Sequence, residues 1–216
     1  MTVVEWPGTG DAPPVSDPSV TTMVEFASGY VDADTVLFGQ SMNALLVLAV
    51  AAATNCRGVI AVTPPHPGLN GDVMKAYWDA HAEPERKARA AAIRAEVDAS
   101  GAEATPMHHA RWQTLRYFYD VDHAVPAPEE WVVPGDWVGP VFASFADVDW
   151  PATLHTAVPV LLTLGAYDFV AAPQPWLDEP ARAGWTVELF ERSGHAPFMD
   201  QPDEFVAAVE RWLKTI

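Results

Sequence analysis

Cysteine is nearly missing from this chain. One residue, Cys56, in 216 excludes an internal disulfide framework, and its place after an apolar, helix-like run marks it as a structural thiol. Positive charge is also scarce: 12 Lys and Arg stand against 29 Asp and Glu, a net charge of −17. Such a surface repels phosphate backbones and anionic lipid, so neither nucleic acid nor a membrane is expected as a partner; it favours a solvated exterior. No apolar run approaches the roughly 20 residues that span a bilayer; the longest reaches only from Met42 to Ala53. Met1 to Asp11 has no basic n-region and no apolar h-region, so no signal peptide is expected and the protein is placed in the cytoplasm. There is no internal repeat and no low-complexity tract. His108-His109 has no cysteine or third ligand at zinc spacing, which makes it a surface pair and leaves no metal site to expect.

Half of the residues are apolar, enough for one domain with a sizeable core. Val3-Val4-Glu5-Trp6 is a short extended run closed by Pro7-Gly8-Thr9-Gly10, a turn signal. Ser16-Asp17-Pro18 supplies cap and first-turn residues for a helix carrying Val20, Met23, Val24, Ala27, Tyr30 and Val31 at three- and four-residue spacing. Thr35 to Phe38 and Val59 to Thr63 read as buried strands, and Met42 to Thr54, apolar nearly all round, as a buried helix. Continuous apolar strands alternating with helices predict an α/β architecture: a doubly wound, mainly parallel sheet.

The alternation breaks at His66. Helices are predicted over 72–82, 84–99 and 108–119, followed by a Trp-, Pro- and Phe-rich block over 126–148 without clear periodicity. Residues 66–150 are therefore assigned to an inserted helical cap, and 1–65 with 151–216 to the core. The aromatics Trp112, Tyr117, Phe118, Tyr119, Trp131 and Trp137 are expected to pack the cap on the core, some lining a pocket. Sheet-like sequence resumes at Val158 to Leu164 and Trp185 to Phe190, and an amphipathic helix over 202–214 closes the chain.

Three groups stand after predicted strands, in the order nucleophile, acid, base. Ser41 in Gly39-Gln40-Ser41-Met42-Asn43 lies between strand and helix, where a sharp turn would expose its hydroxyl, and where the Met42 N–H would be one oxyanion donor. The alternative is a helix N-cap serine. Asp168, past the Val158–Leu164 run, would fix the tautomer of a histidine, or else cap a turn. His195 in Ser193-Gly194-His195-Ala196-Pro197 would be the general base. Asn43 departs from the expected G-x-S-x-G, at a position where helix and strand cross closely and a side chain needs room.

Around these residues the chain resembles an α/β-hydrolase of the prolyl-iminopeptidase-like group. The resemblance is carried by Pro159 to Leu162, Gly165 to Val170, Phe190 to Pro197 and Pro202 to Phe205 in the C-terminal half, and by Arg116-Tyr117-Phe118-Tyr119-Asp120 in the cap. It implies a Ser41, Asp168, His195 triad and no cofactor, metal or organic. It also implies that Val3 to Gly10 matches the fourth strand of that fold and its loop, with the earlier strands absent. The segment that carries the second oxyanion donor would be absent with them, leaving a strand edge to be covered.

The leading expectation is a cofactor-free serine hydrolase acting on a small-molecule or short-peptide substrate, either an ester or a peptide with an N-terminal proline. The peptidase needs an acid to hold the substrate amine, for which Glu83, Glu96, Glu103 and Asp120 are candidates; an esterase does not. A degenerate hydrolase that binds a ligand or partner with little catalysis is the competing class. A carbon–carbon hydrolase or lyase on the same triad stays open, as does a homo-oligomer.

Overall fold

The computed structural model describes residues 2–9, 11–100, 105–123 and 137–216. Four parallel strands, in the spatial order of the sequence, form one sheet: β1 (Val36–Gln40), β2 (Gly58–Val62), β3 (Val160–Gly165) and β4 (Trp185–Phe190). Pairing is in register from Val36 opposite Gly58, Val59 opposite Val160, and Val160 opposite Trp185. The two central strands are buried at every residue and the two outer ones are not. That explains the unbroken Val, Ile and Leu of β2 and β3: side chains alternate between two covered faces.

One face of the sheet takes α2 (Met42–Ala53). Ala44, Leu45, Val47, Leu48 and Ala51 pack there on Val59, Ala61, Val160, Leu162 and Leu164. The opposite side of α2, Leu46 and Ala49, meets α1 (Val20–Ser28) at Val20 and Met23, with Trp137 and Val141 beside them. A helix apolar all round is thus one sandwiched between sheet and a second helix layer. Ser19 caps α1, its hydroxyl accepting the Thr22 N–H at 3.3 Å. The other sheet face takes the C-terminal helix, Pro202–Leu213, through Phe205, Ala208 and Trp212 against Ile60, Val62, Leu161 and Phe190. Burial of each such large side chain stabilises the layer by about 1.5–3 kcal/mol.

Between β2 and β3 the described residues hold helices and no strand: α3 (Gly71–His81), α4 (Pro84–Ser100), α5 (Pro106–Tyr117), α6 (Val138–Ser144) and α7 (Trp150–Thr153). Short helices α8 (Gln174–Leu177) and α9 (Pro197–Asp200) follow β3 and β4, which makes the terminal helix α10. Arg86 on α4 is 1% exposed and fully engaged. It donates to Glu83 at 2.9 Å and to the carbonyls of Leu115, Phe118 and Tyr119 at 2.6, 3.0 and 2.7 Å. This fixes the C-terminal end of α5.

The expected strand at Val3 to Trp6 does not form. The run lies outside the sheet, and Trp6 packs instead with the α1–α2 cluster. A short extended run becomes a strand only where a neighbour satisfies its backbone, and among the described residues β1 pairs only with β2. The following turn does form, with the Thr9 N–H on the Trp6 carbonyl at 2.9 Å; Gly10 lies outside the described residues. Cys56 is buried, and burial pushes its thiol up, as a structural cysteine requires. Among the described residues no helix is long and apolar enough to cross a membrane.

Candidate active site

The C-terminal ends of the strands carry the candidate residues. Ser41 follows β1 directly and has φ 57°, ψ −128°, a conformation that L-residues avoid and that only surrounding structure can impose. Two features impose it. The Ser41 N–H is held by the Val62 carbonyl at 2.8 Å. Gly39 lets α2 come so close that a Cβ there would stand 2.4 Å from the Asn43 carbonyl oxygen. The serine occupies the N-cap position of α2, yet its hydroxyl caps nothing and has no hydrogen-bond partner among the described residues. The N-cap alternative therefore fails.

Asn43 is a correction. Its side chain is exposed and its φ is not positive; Ser41 and Thr63 are the non-glycine residues with positive φ among those described. The close approach falls on Gly39 and on the backbone of residue 43, so the side chain of Asn43 has room.

Asp168 and His195 meet. The His195 Nδ1 lies 2.7 Å from the Asp168 Oδ2, and both side chains are 1% exposed. The other carboxylate oxygen accepts the N–H groups of Val170 and Ala171 at 2.8 and 2.7 Å. A carboxylate facing Nδ1 assigns the proton of the neutral ring to Nδ1, leaving Nε2 with its lone pair. That Nε2 is buried and has no hydrogen-bond partner. The ring edge packs on Tyr117, centroids 4.9 Å apart.

The backbone at His195 is clamped from three elements. Its carbonyl accepts the Gln40 side-chain amide at 2.8 Å and the Thr63 hydroxyl at 2.9 Å, and its N–H donates to the Tyr117 carbonyl at 2.6 Å. Thr63 is fully buried at φ 44°, a strained position for a β-branched residue. Gly194 must be glycine, since a Cβ would stand 2.2 Å from the Tyr117 carbonyl. Asp200 accepts the Gly194 N–H at 2.8 Å and the Tyr119 N–H at 3.2 Å; burial pushes its carboxyl up. Gln40, the residue before Ser41, thus touches the histidine loop directly, although no hydrogen bond joins the Ser41 hydroxyl to the ring.

Ser41 and Met42 open onto a cavity of about 650 Å³ with a largely apolar wall of Leu45, Met74, Phe142, Phe145 and Trp150. The polar groups at its wall besides Ser41 are His66, Asn70 and Arg116. His66 is saturated: Nδ1 accepts the Gly68 N–H at 2.9 Å and Nε2 faces Glu179 at 3.0 Å. No carboxylate lines the cavity among the described residues. Glu83 is paired with Arg86 and Glu96 with Arg111; Asp120 turns an oxygen to the Asp122 N–H; Glu103 lies outside the described residues.

Of the aromatics expected to pack the cap on the core, some of them lining a pocket, none lines the cavity at Ser41 among the described residues, and Trp112 borders a separate one on α4 and α5. Trp112 meets Trp78, Phe118 stacks on His123, Tyr119 packs edge-on to Tyr167, Trp137 joins the α1–α2 cluster, and Trp131 lies outside the described residues. His108 forms a capping box with Thr105 at the start of α5. Among the described residues no group of three or more His, Cys, Asp or Glu could hold a metal. Thr63 and Asp200 carry no local sequence signal, and the segments that hold Gln40 and Arg116 are legible without singling out either residue. Their contacts reach across the chain.

A protein-family model described as "Alpha/beta hydrolase family" matches residues 2–208. Among solved structures, an esterase from Exiguobacterium antarcticum superposes with TM-score 0.63 at 19% identity, over 97% of this chain and 80% of that one. A proline iminopeptidase from Mycobacterium smegmatis gives TM-score 0.58 at 19% identity, over 96% and 77%. Likeness at this identity is likeness of fold. Among curated proteins, the AB hydrolase superfamily protein YclE of Bacillus subtilis is 33% identical over 73 residues, 32% of this chain and 26% of that protein. An uncharacterized protein of Mycobacterium tuberculosis is 35% identical over 80 residues, 32% of this chain and 24% of that protein. The matched stretch is about a quarter of the length of these curated relatives.

Proposed function

The chain belongs to the alpha/beta hydrolase family, and from that premise we propose that it is a serine hydrolase cleaving a small ester through an acyl-enzyme. Ser41 is the nucleophile, His195 the general base and then acid, and Asp168 the residue that orients the ring. The observation that carries this reading is the buried, partnerless Nε2 of a histidine whose Nδ1 is held by a carboxylate. A buried polar atom without a partner is costly. It persists here as the acceptor for a serine proton.

In the first step the Ser41 Oγ bonds to the ester carbonyl carbon while its proton passes to Nε2. The charge that develops on the carbonyl oxygen meets the Met42 N–H at the start of α2, where helix N–H groups lack intrahelical partners. The carbon–oxygen bond to the alcohol then breaks and Nε2 returns the proton to the departing oxygen. Water, giving its proton to Nε2, attacks the acyl carbon, and the acid leaves as Ser41 recovers its proton.

An ester is favoured over a peptide with a free amino terminus by the cavity wall. An aminopeptidase must hold an ammonium group, and among the described residues no acid stands at the wall to do so; an apolar wall suits an acyl chain.

A fluorophosphonate probe tests the nucleophile. Labelling of the wild-type protein, with none in Ser41→Ala and little in His195→Ala, is expected. A folded wild-type protein that resists labelling overturns the reading in favour of a binding protein on a hydrolase scaffold. Short acyl p-nitrophenyl esters should be cleaved and proline p-nitroanilide should not; the reverse order would establish the peptidase.

A further inference from the structure

Arg116 is the one arginine among the described residues that lines the cavity with Ser41. It sits on the last turn of α5, and its Nε and Nη2 donate to the Phe169 carbonyl at 3.1 and 3.0 Å. The exchange is mutual, because the Phe169 N–H donates to the Arg116 carbonyl at 3.2 Å. The guanidinium is thus fixed in place, with Nη1 free of any protein partner among the described residues.

No carboxylate lies within ion-pair distance of it among the described residues. Arg86, Arg89, Arg94, Arg111, Arg182, Arg192 and Arg211 each have one. Arg57 does not, but it is exposed and sits at the chain's C-terminal end, on the Ile216 carbonyl. Asp168 is close enough to act on Arg116, yet both of its oxygens are already engaged, by His195 and by the N–H groups of Val170 and Ala171. A half-buried cation against an apolar wall, held rigid and with no ion-pair partner among the described residues, is energetically unfavourable. The contrast with Arg86 is instructive: that guanidinium is more deeply buried, but carbonyls and a carboxylate saturate it.

We propose that Arg116 is a specificity-determining residue and that the ester this site cleaves carries a carboxylate, which the free side of the Arg116 guanidinium receives. This rests on the ester-hydrolase reading for the bond that is cut. The binding half of the claim stands apart from it. Arginine suits the role because its planar fork matches a carboxylate. Burial lowers the Arg116 pKa from its ordinary value, and a guanidinium so shifted is still charged at neutral pH.

The test compares matched esters in two arms. In the first, mono-p-nitrophenyl glutarate is set against p-nitrophenyl butyrate, placing the carboxylate on the acyl side. In the second, 4-carboxyphenyl butyrate is set against its methyl ester, placing it on the alcohol side. In at least one arm the wild type should favour the charged ester in kcat/KM by about 10- to 100-fold, mainly through KM, the range expected of a charge-assisted hydrogen bond. Arg116→Gln should collapse that ratio, and Arg116→Lys should recover part of it. A wild type with no preference in either arm overturns the proposal, as does a preference that survives in Arg116→Gln.

Should Arg116→Gln fail to fold, the wild-type ratios and Arg116→Lys still decide. A second readout is independent of turnover. Tryptophan fluorescence, with Trp150 at the cavity wall, follows the binding of monomethyl glutarate and of methyl butyrate to Ser41→Ala. Tighter binding of the charged ester, weakened when Arg116→Gln is added, supports the anchor even if no probe labels Ser41; equal binding of this pair and also of 4-carboxyphenyl butyrate and its methyl ester overturns it. The failure of the hydrolase reading and the failure of the anchor are therefore separate results.

Discussion

At the scale of single residues, the turn at Ser41 is produced by two neighbours with opposite tolerances. Gly39 has no space for a methyl group, which would stand 2.4 Å from a backbone oxygen of α2. Asn43, where the motif expects glycine, is exposed. The steric demand of a strand that enters a helix this sharply falls on the residue before the turn, where two backbones touch. Gly39→Ala should therefore destabilise the protein by about 1–3 kcal/mol, the usual penalty of overpacking, and reduce turnover as Ser41 shifts. Asn43→Gly should leave turnover within about threefold and lower stability by only about 0.3 kcal/mol, because asparagine is itself a poor helix former and glycine loses only a little more backbone freedom in a helix. Urea midpoints and esterase rates on the two variants check both. A large gain in activity for Asn43→Gly would show that the departure from the motif does impair the site.

At the scale of elements, the end of α5 joins the two loops that carry Asp168 and His195. Arg116 exchanges hydrogen bonds with Phe169, the Tyr117 carbonyl takes the His195 N–H, and the Tyr119 N–H reaches Asp200. α3 also supports the loop that carries Asp168, where the Tyr77 hydroxyl donates to the Ala166 carbonyl at 2.7 Å. Burial, with the nearby charge of Asp168, pushes the Tyr77 phenol from its ordinary 10.0 up to about 12. A pKa raised in the folded state means that the fold holds the proton more tightly. The contribution is complete below pH 10 and is lost as pH climbs to about 12, a change on the order of 2 kcal/mol. Urea midpoints across that range should fall more steeply for wild type than for Tyr77→Phe; parallel curves would remove Tyr77 as the cause. These joints also mark what the sequence reveals. The strands around residues 58–62 and 160–165 are legible because an apolar run buried on both faces looks the same wherever it occurs, and the outer strands around 36–40 and 185–190 because short apolar runs stand beside them in the same alternation with helices. Ser41, Asp168 and His195 are legible because each follows such a run. Gln40, Thr63, Arg116 and Asp200 are not, since nothing beside them in the chain announces a partner on another loop. Val3 to Trp6 misleads for a related reason: its pattern suits a strand, but a strand also needs a neighbour.

At the scale of the whole molecule, the sheet and the charge meet the substrate differently. Among the described residues the sheet ends at β1, where Phe38 is 55% exposed, so the turn at Ser41 is held there from β2 and α2. The net charge of −17 surrounds a site whose one free cation among the described residues is Arg116. For a carboxylate-bearing ester, long-range repulsion and short-range attraction therefore oppose each other, and salt separates them. The Debye length shrinks from about 30 Å at 0.01 M to about 8 Å at 0.15 M salt. Added salt thus screens the surface field before it weakens a contact made inside a cavity. kcat/KM for a charged ester should rise about two- to fivefold over that range as the approach becomes less unfavourable, while its neutral counterpart stays flat. The rise should persist in Arg116→Gln, because the field belongs to the surface and not to the anchor. A rate that falls with salt for the charged ester would mean that local positive charge dominates the approach, and that the acidic surface faces away from the mouth of the cavity.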